Sequence, residues 1–328
     1  MKWKPSGAFK FFLQFGFSLL ALYIIARNLD LSVLKSQAGE VNPLRLAIAF
    51  SFHFVALFVS LIRWQLLLRP LGIRLSWFAV GWVYMMGGFF NSFLPTSIGG
   101  DAVRILKTGE WSGHPAEATV SVVVERWTGL IAFLLFCLLA LVLGAHKVLG
   151  LTWSLMILVL TLGMVLVLAF VMRRVDPDAD GNRNVGLIVE KWLKFRHAMV
   201  RYRDSPGAFT WAMIWGLVVQ GVLILYYGVL AWSLNLPVHW MGLAVAVPLS
   251  ELVSMIPVSL GGFGTREAVF FGLAGLLRMP PELAVWLALV RGLLGVLFNM
   301  LGIVTLWVPY HPHPVHPSSS SSRHTSGG

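Results

Sequence analysis

Charge is scarce in this chain. Of 328 residues only 12% are Asp, Glu, Lys or Arg and 57% are hydrophobic, against roughly one quarter charged in an ordinary soluble domain. That composition excludes a conventional solvated surface. Cysteine is nearly absent: Cys137 stands alone inside an apolar run, so no intramolecular disulfide can form and the residue reads as core filler. Acidic residues are fewer than basic ones, 14 against 25, giving a net charge of +11. In a soluble domain that excess would suggest nucleic acid. Here the basic residues cluster between apolar runs, the pattern of loops that face anionic lipid, and no nucleic-acid partner is expected. Enzymatic motifs are also missing. There is no Gly-x-x-x-x-Gly-Lys-[Ser/Thr] phosphate loop and no His-Glu-x-x-His metal motif. His53 and His239 have no companion at ligand spacing, and His311, His313 and His316 fall in a Pro- and Ser-rich tail that offers no closed shell. Neither cofactor nor metal is expected.

What the chain has in abundance is long apolar runs. A membrane helix needs about 20 mainly apolar residues, and spans are predicted at 11–26, 45–68, 118–145, 151–172, 208–231 and 283–309. The first follows Lys2, Lys4 and Lys10, so a signal peptide is the alternative; no small-residue cleavage site stands out, which favours an uncleaved helix. Residues 311–328 lack the apolar content to build a core and read as a flexible tail.

Two further apolar segments stop short. Trp77 to Leu94 runs into Pro95-Thr96-Ser97-Ile98-Gly99-Gly100-Asp101 and a short segment ending at Lys107. Trp240 to Ile256 runs into Pro257-Val258-Ser259-Leu260-Gly261-Gly262-Phe263-Gly264-Thr265-Arg266-Glu267 and an apolar return to about Leu277. A helix, a turn rich in Pro and Gly, and a short returning helix predict a hairpin that enters the membrane and leaves on the same side. One offset of 162 residues pairs Pro95 with Pro257, Ser97 with Ser259, Gly99 with Gly261, Gly100 with Gly262 and Arg104 with Arg266. The same offset carries the neighbouring spans onto each other. The expected architecture is therefore an all-α integral membrane protein, a single transmembrane domain over 1–310. Its repeat halves, about 45–145 and 208–309, are joined by span 151–172 and segment 173–207.

Basic residues set the orientation. The N-terminus, Arg69 with Arg74, Arg104 with Lys107, and 173–207, with eight Lys and Arg against five Asp and Glu, are assigned to the cytoplasm. Loops 146–150 and 232–238 carry little charge, while in 27–44 Arg27 and Lys35 are offset by Asp30 and Glu40. This threading places both termini inside and inverts the two halves, an arrangement shared with many secondary transporters. In 184–203, Val185, Ile188, Trp192, Phe195 and Met199 recur at helical spacing, which fits either an interfacial anchor or a helix packed on the bundle.

The two turns carry the sharpest chemistry. Pro95 and Pro257 stop the incoming helices, and the paired glycines allow close backbone approach. Asp101 is expected to cap the first return helix and Thr265 the second, with Glu267 in its first turn. Helix starts beside Arg104 and Arg266 suit an anionic group such as a lipid phosphate. The competing reading is that Asp101 with Arg104, and Glu267 with Arg266, only satisfy each hairpin internally. Glu125 and Arg126 lie within a span, where a charge is costly unless paired or hydrated. Being adjacent, they face different partners, and Asp101 is one candidate for Arg126. In the second half Glu251 is placed to answer Arg291, with Asn299 on a related face of the last span. Arg63, near the end of its span, reads as snorkelling, and the tryptophans at 64, 77, 82, 240 and 286 as interfacial anchors.

The segment from Phe90 through Asn91, Pro95, Gly99 and Asp101 to Arg104 resembles the first hairpin of a known family, the membrane region of lysylphosphatidylglycerol synthases and their stand-alone, flippase-like relatives. Val124-Glu125-Arg126-Trp127-Thr128-Gly129 is similar to that family's next motif, and Ile256 to Glu267 to its late glycine-rich hairpin. The resemblance runs from about residue 10 to 309. It implies a flippase-like membrane region without the soluble aminoacyl-transfer domain, in a bacterial or archaeal plasma membrane. The implied activity is translocation of a lipid with a charged or phosphate-containing headgroup, with lipid-biosynthesis enzymes as possible partners. On that reading the headgroup meets Asn91, Pro95, Ser97, Gly99, Gly100, Asp101, Arg104, Glu125 and Arg126 in the first half. In the second it meets Glu251, Pro257, Ser259, Gly261, Gly262, Gly264, Arg266, Glu267, Arg291 and Asn299. A membrane-embedded lipid-modifying transferase using Asp101 or Glu125 as base, and a non-catalytic scaffold, remain open alternatives.

Overall fold

The protein was analysed as a computed structural model, which describes residues 7–27, 29–93, 99–174, 198, 200–255, 258–308 and 310. Pro95, Ser97, Pro257, most of 173–207 and the tail 311–328 lie outside the described residues. Every regular element among the described residues is helical. In chain order they are α1 (Gly7–Arg27), α2 (Leu31–Gly39), α3 (Pro43–Leu68), α4 (Trp77–Phe93), α5 (Gly99–Ser112), α6 (Pro115–Ala140) and α7 (His146–Arg174). They continue with α8 (Pro206–Ser233), α9 (Trp240–Ser254), α10 (Thr265–Gly272), α11 (Ala274–Leu277), α12 (Pro281–Met300) and α13 (Val304–Trp307).

Local chemistry fixes several helix starts. Proline occupies the first turn of α3, α6, α8 and α12, where its missing N–H costs nothing and its fixed φ suits the helix. Asn42 caps α3 by accepting from the Arg45 N–H at 3.1 Å. Asp30 caps α2 by accepting from the Ser32 N–H at 2.9 Å and the Ser32 hydroxyl at 2.6 Å, and these bonds hold its carboxyl below the usual range. A single residue with φ +76°, Gly150, breaks α7 near its start.

Four helical stretches among the described residues are long and apolar enough to cross a bilayer: Pro43–Leu71, Pro115–Leu143, Pro206–Ser233 and Pro281–Trp307. Shorter apolar helices occupy Gln14–Arg27, Gly150–Met164 and Trp240–Ser254. Large apolar side chains point outward on the long helices, among them Phe58, Leu151, Val159, Leu166 and Leu297. In water such a surface would be a liability. In hydrocarbon it is the solvated face.

Two packed cores divide the bundle. One gathers Leu61, Trp64 and Leu67 of α3 with Val80 and Val83 of α4, Val120, Val122 and Val124 of α6, and Ala212 at the start of α8. The other gathers Tyr226, Tyr227 and Leu230 of α8 with Leu243 of α9, Phe270 of α10, Leu287 of α12, and Ala49 at the start of α3. Each core thus takes the end of one long helix and the beginning of the other, so α3 and α8 run antiparallel side by side. Hydrogen bonds fix the pairing at both ends. Asn42 N–H donates to the Ser233 carbonyl at 3.2 Å, and the Tyr202 hydroxyl, just before α8, donates to the Leu67 carbonyl at 2.6 Å. Arg201 donates to the Leu71 carbonyl at 2.8 Å. Tyr202 therefore packs on the bundle, while Val185, Ile188, Trp192, Phe195 and Met199 lie outside the described residues.

Cys137 belongs to a third cluster with Ala140, Leu141, Ile157, Val245 and Leu276 and is 3% exposed. We expect a thiol-reactive dye to leave Cys137 unlabelled in folded protein and to label it as the bundle melts. Rapid labelling at room temperature would contradict this packing.

Candidate functional site

Helices α4 and α5 form the first hairpin's walls, and glycine lets them touch. A methyl group at Gly100 would overlap the Gly87 carbonyl oxygen and the Asn91 side chain. Asn91 uses that closeness, accepting from the Gly100 N–H at 2.8 Å. Gly100→Ala is therefore expected to lower the unfolding temperature, with an overpacking cost of roughly 1–3 kcal/mol. An unchanged melting curve would argue against the contact.

Arg104 projects from α5 into the first core and is 5% exposed. Its guanidinium lies 4.1 Å over the Trp64 ring and 4.2 Å over the Tyr84 ring, in the corner where the two rings meet. It pairs with Glu125 of α6, and Glu125 also accepts from Arg63 at 2.9 Å and from the Tyr84 hydroxyl at 3.2 Å. Glu125 is 2% exposed. Removed from water, such charges persist only with close partners, and here two arginines share one carboxylate. Arg126 turns the other way and donates from Nε to Asp101 at 2.6 Å, while Arg104 lies 3.5 Å from the other Asp101 oxygen. The Arg126 side chain is 36% exposed, unlike its neighbours.

The second hairpin is built differently. Gly261, Gly262 and Gly264 all hold positive φ, and the +86° of Gly264 is accessible almost solely to glycine. The Glu267 carboxylate reaches back to accept from the Gly264 N–H at 2.6 Å, closing the start of α10. Arg266 is 4% exposed; it donates to the Gly261 carbonyl at 3.3 Å and lies 3.9 Å from Glu267. Its Nε has no hydrogen-bond partner among the described residues. Across from it, Arg291 of α12 pairs with Glu251 of α9 at 3.0 Å, and both side chains keep partial exposure.

Three adjoining cavities connect these groups. A polar one of about 190 Å³ is bounded by Asn91 and Ser92 of α4, Arg126, Glu251, Ser259, Gly261, Gly262, Arg266, Arg291 and Asn299. Residues of α4 and of the glycine-rich segment before α10 thus line a single space. A second, of about 200 Å³, shares Asn91 and Arg126 with the first and reaches Asp101, Arg104, Glu125 and Arg63. A third, of about 270 Å³, shares Arg291 and Asn299 with the first, and Tyr84 and Gly88 with the second. Asn299 donates to the Ser92 hydroxyl at 3.0 Å and so ties α12 to α4. No group of three or more His, Cys, Asp or Glu suited to a metal occurs among the described residues.

A family model for the lysylphosphatidylglycerol synthase TM region matches residues 11–302. The chain belongs to that family. A UPF0104 membrane protein of Pyrococcus horikoshii is 22% identical over 322 residues, covering 90% of this chain and 92% of the relative. A UPF0104 membrane protein of Methanocaldococcus jannaschii is 20% identical over 313 residues, covering 89% and 92%. No solved structure matches the chain. This lysylphosphatidylglycerol synthase TM-region protein is multi-pass and membrane-embedded, and its family identity is consistent with movement of lipid across the bilayer.

Within this family member, several expectations change. Thr265 does not cap α10: Gly264 holds that position, and the Thr265 hydroxyl donates to the Gly262 carbonyl at 2.9 Å and lies 3.1 Å from the Ser259 hydroxyl. Asp101 is the third residue of α5, and its carboxylate serves Arg126 and Arg104 rather than a helix start. Arg63 does not snorkel, because Glu125 draws it inward to 8% exposure. Trp64 is no interfacial anchor. It is fully buried, and its indole N–H donates to the Ser121 hydroxyl at 3.2 Å. Trp77 and Trp240 do remain half-exposed. Tyr84, not singled out from sequence, proves to be a partner of both Arg104 and Glu125.

Proposed function

We propose that this protein moves a lipid with an anionic, phosphate-bearing headgroup between the two leaflets. The supporting observation is the polar cavity bounded by both hairpins, where Arg126, Arg266 and Arg291 come together with Glu251, Asn91 and Asn299. Five arginines, at 63, 104, 126, 266 and 291, stand against four carboxylates, at 101, 125, 251 and 267, around the joined cavities. With all of them ionised, one positive charge is in excess, which favours an anion in a medium where unpaired charge is costly. In this scheme Arg104 and Glu125 are positioning residues, because they hold each other. Arg126, Arg266 and Arg291 contact the phosphate, Glu251 and Asp101 orient the arginines, and Asn91, Ser259 and Asn299 supply neutral hydrogen bonds. Gly261 and Gly262 let backbone approach the headgroup, while Gly100 and Gly264 let helices pack closely around the cavity.

The topology that serves this function has six crossings, by α1, α3, α6, α7, α8 and α12 with its extension, and two hairpins that do not cross. The antiparallel α3 and α8 favour inverted halves, about 45–145 and 208–309, with both termini on the cytoplasmic side. The membrane is the plasma membrane of a bacterium or archaeon. A nucleotide motif is lacking in the sequence, so uphill movement draws on an ion gradient or on a reaction that consumes the translocated lipid. The reading is tested by reconstituting the protein in liposomes and following leaflet-selective quenching of fluorescent phospholipids. Faster equilibration than in protein-free vesicles is expected, and equal rates across anionic lipids and imposed gradients would overturn it. Chemical conversion of the lipid would instead favour the transferase.

A further inference from the structure

The 270 Å³ cavity between α3, α4, α8 and α12 differs in character from the polar one it adjoins. Its walls are mainly apolar, with Phe52, Ala56, Leu57, Met85, Leu223 and Phe298, and carry His53, Ser60, Tyr84 and Tyr226 as isolated polar points. At one end it shares Arg291 and Asn299 with the polar cavity. Its wall also reaches the outer surface of the bundle, because Phe298 packs edge-on against Phe54 at 5.0 Å and Phe54 is 49% exposed on the face turned to lipid. The two compartments therefore adjoin, passing from paired arginines to an aromatic and aliphatic slot whose wall abuts the lipid-facing surface. Each methylene buried there favours binding roughly fourfold.

We infer that the slot holds the first segment of the hydrocarbon chain of the same lipid whose phosphate occupies the polar cavity, so that the protein recognises the chain as well as the headgroup. This rests on the lipid reading of the polar cavity and extends it. A phosphate seated between the hairpins is attached to a tail that must leave the bundle, and the slot supplies that exit. Ala56 gives the slot a small side chain on its α3 wall, while the space beside Gly88 is taken by Asn299.

The test uses intact protein in phosphatidylcholine nanodiscs with two phosphatidic acid probes, one carrying a diazirine near the ester end of the acyl chain and one at its terminus. After illumination, cross-linked peptides are mapped by mass spectrometry. The ester-end probe is expected to label α3 and α8 around Ala56, Leu57 and Leu223 at least fivefold more than the terminal probe does. Excess phosphatidic acid should suppress this label, whereas excess diacylglycerol, which has the chains without the phosphate, should not. Labelling confined to outward residues such as Phe58 would overturn the inference, as would equal suppression by diacylglycerol, the mark of hydrocarbon filling alone. Ala56→Trp, which fills the slot, should remove the label; Leu223→Phe provides the same check with a smaller change in volume. Leaflet-selective quenching on the same protein separates the two claims. Translocation without slot labelling overturns the slot alone, and slot labelling without translocation overturns the transport reading alone.

Discussion

Glu125→Gln should be among the most damaging single substitutions in this protein. The carboxylate is shared by Arg63 and Arg104 and accepts from Tyr84 in a site almost closed to solvent. Removing its charge leaves two buried guanidinium groups with only Asp101, 3.5 Å from Arg104, to offset them. Breaking a buried pair in this way costs about 3–5 kcal/mol. For a chain of this size that corresponds to a fall in melting temperature of roughly 4–7 °C, readable as early labelling of Cys137. Arg126→Gln makes the internal control, because Arg126 is partly exposed and Asp101 keeps Arg104. It should melt within about 2 °C of the native protein. Equal melting of the native and Glu125→Gln proteins would mean that the network is not a structural lock.

The second large effect is on transport rather than on folding. Replacing Glu251 and Arg291 together by glutamine removes a facing pair without changing the net charge, so no uncompensated charge is left behind. The double variant should fold and melt close to the native protein. Its translocation rate should fall by about 10- to 100-fold, the equivalent of the roughly 1.5–3 kcal/mol carried by a hydrogen bond to a charged group. Undiminished transport by this variant would remove Arg291 from the proposed headgroup contacts.

How much of this was legible in the sequence depends on how far apart the partners lie. The close packing of α4 on α5 was marked locally, because the closeness of Gly87 to Gly100 follows from the glycine content of these segments. The pairs Asp101–Arg126 and Glu251–Arg291 were open to inference from cost alone, since intramembrane charges need an answer and few were on offer. Arg63, Trp64 and Tyr84 were not. A single arginine or tryptophan near the end of an apolar run has the same local signature whether it reaches for the interface or turns inward. What decides is Glu125, 62 residues along the chain from Arg63. The start of α10 failed for a different reason. Thr265 is the better capping residue by type, but the left-handed backbone at Gly264 moves the helix start back by one residue. The sharing of one polar cavity by Asn91, Arg126, Gly262, Arg266 and Arg291 joins residues up to 200 positions apart, which no local pattern encodes.

The central claim is that lipid passes through the space between the hairpins, and it is tested most directly by closing that space. Val296 lines the polar cavity from α12 and carries none of its charges. Val296→Trp places an indole in a cavity of about 190 Å³ while leaving every ion pair in place. In liposomes, with folding verified by protection of Cys137, the variant should lower lipid translocation at least tenfold toward the protein-free rate. Translocation at the native rate by a folded Val296→Trp protein would contradict the claim.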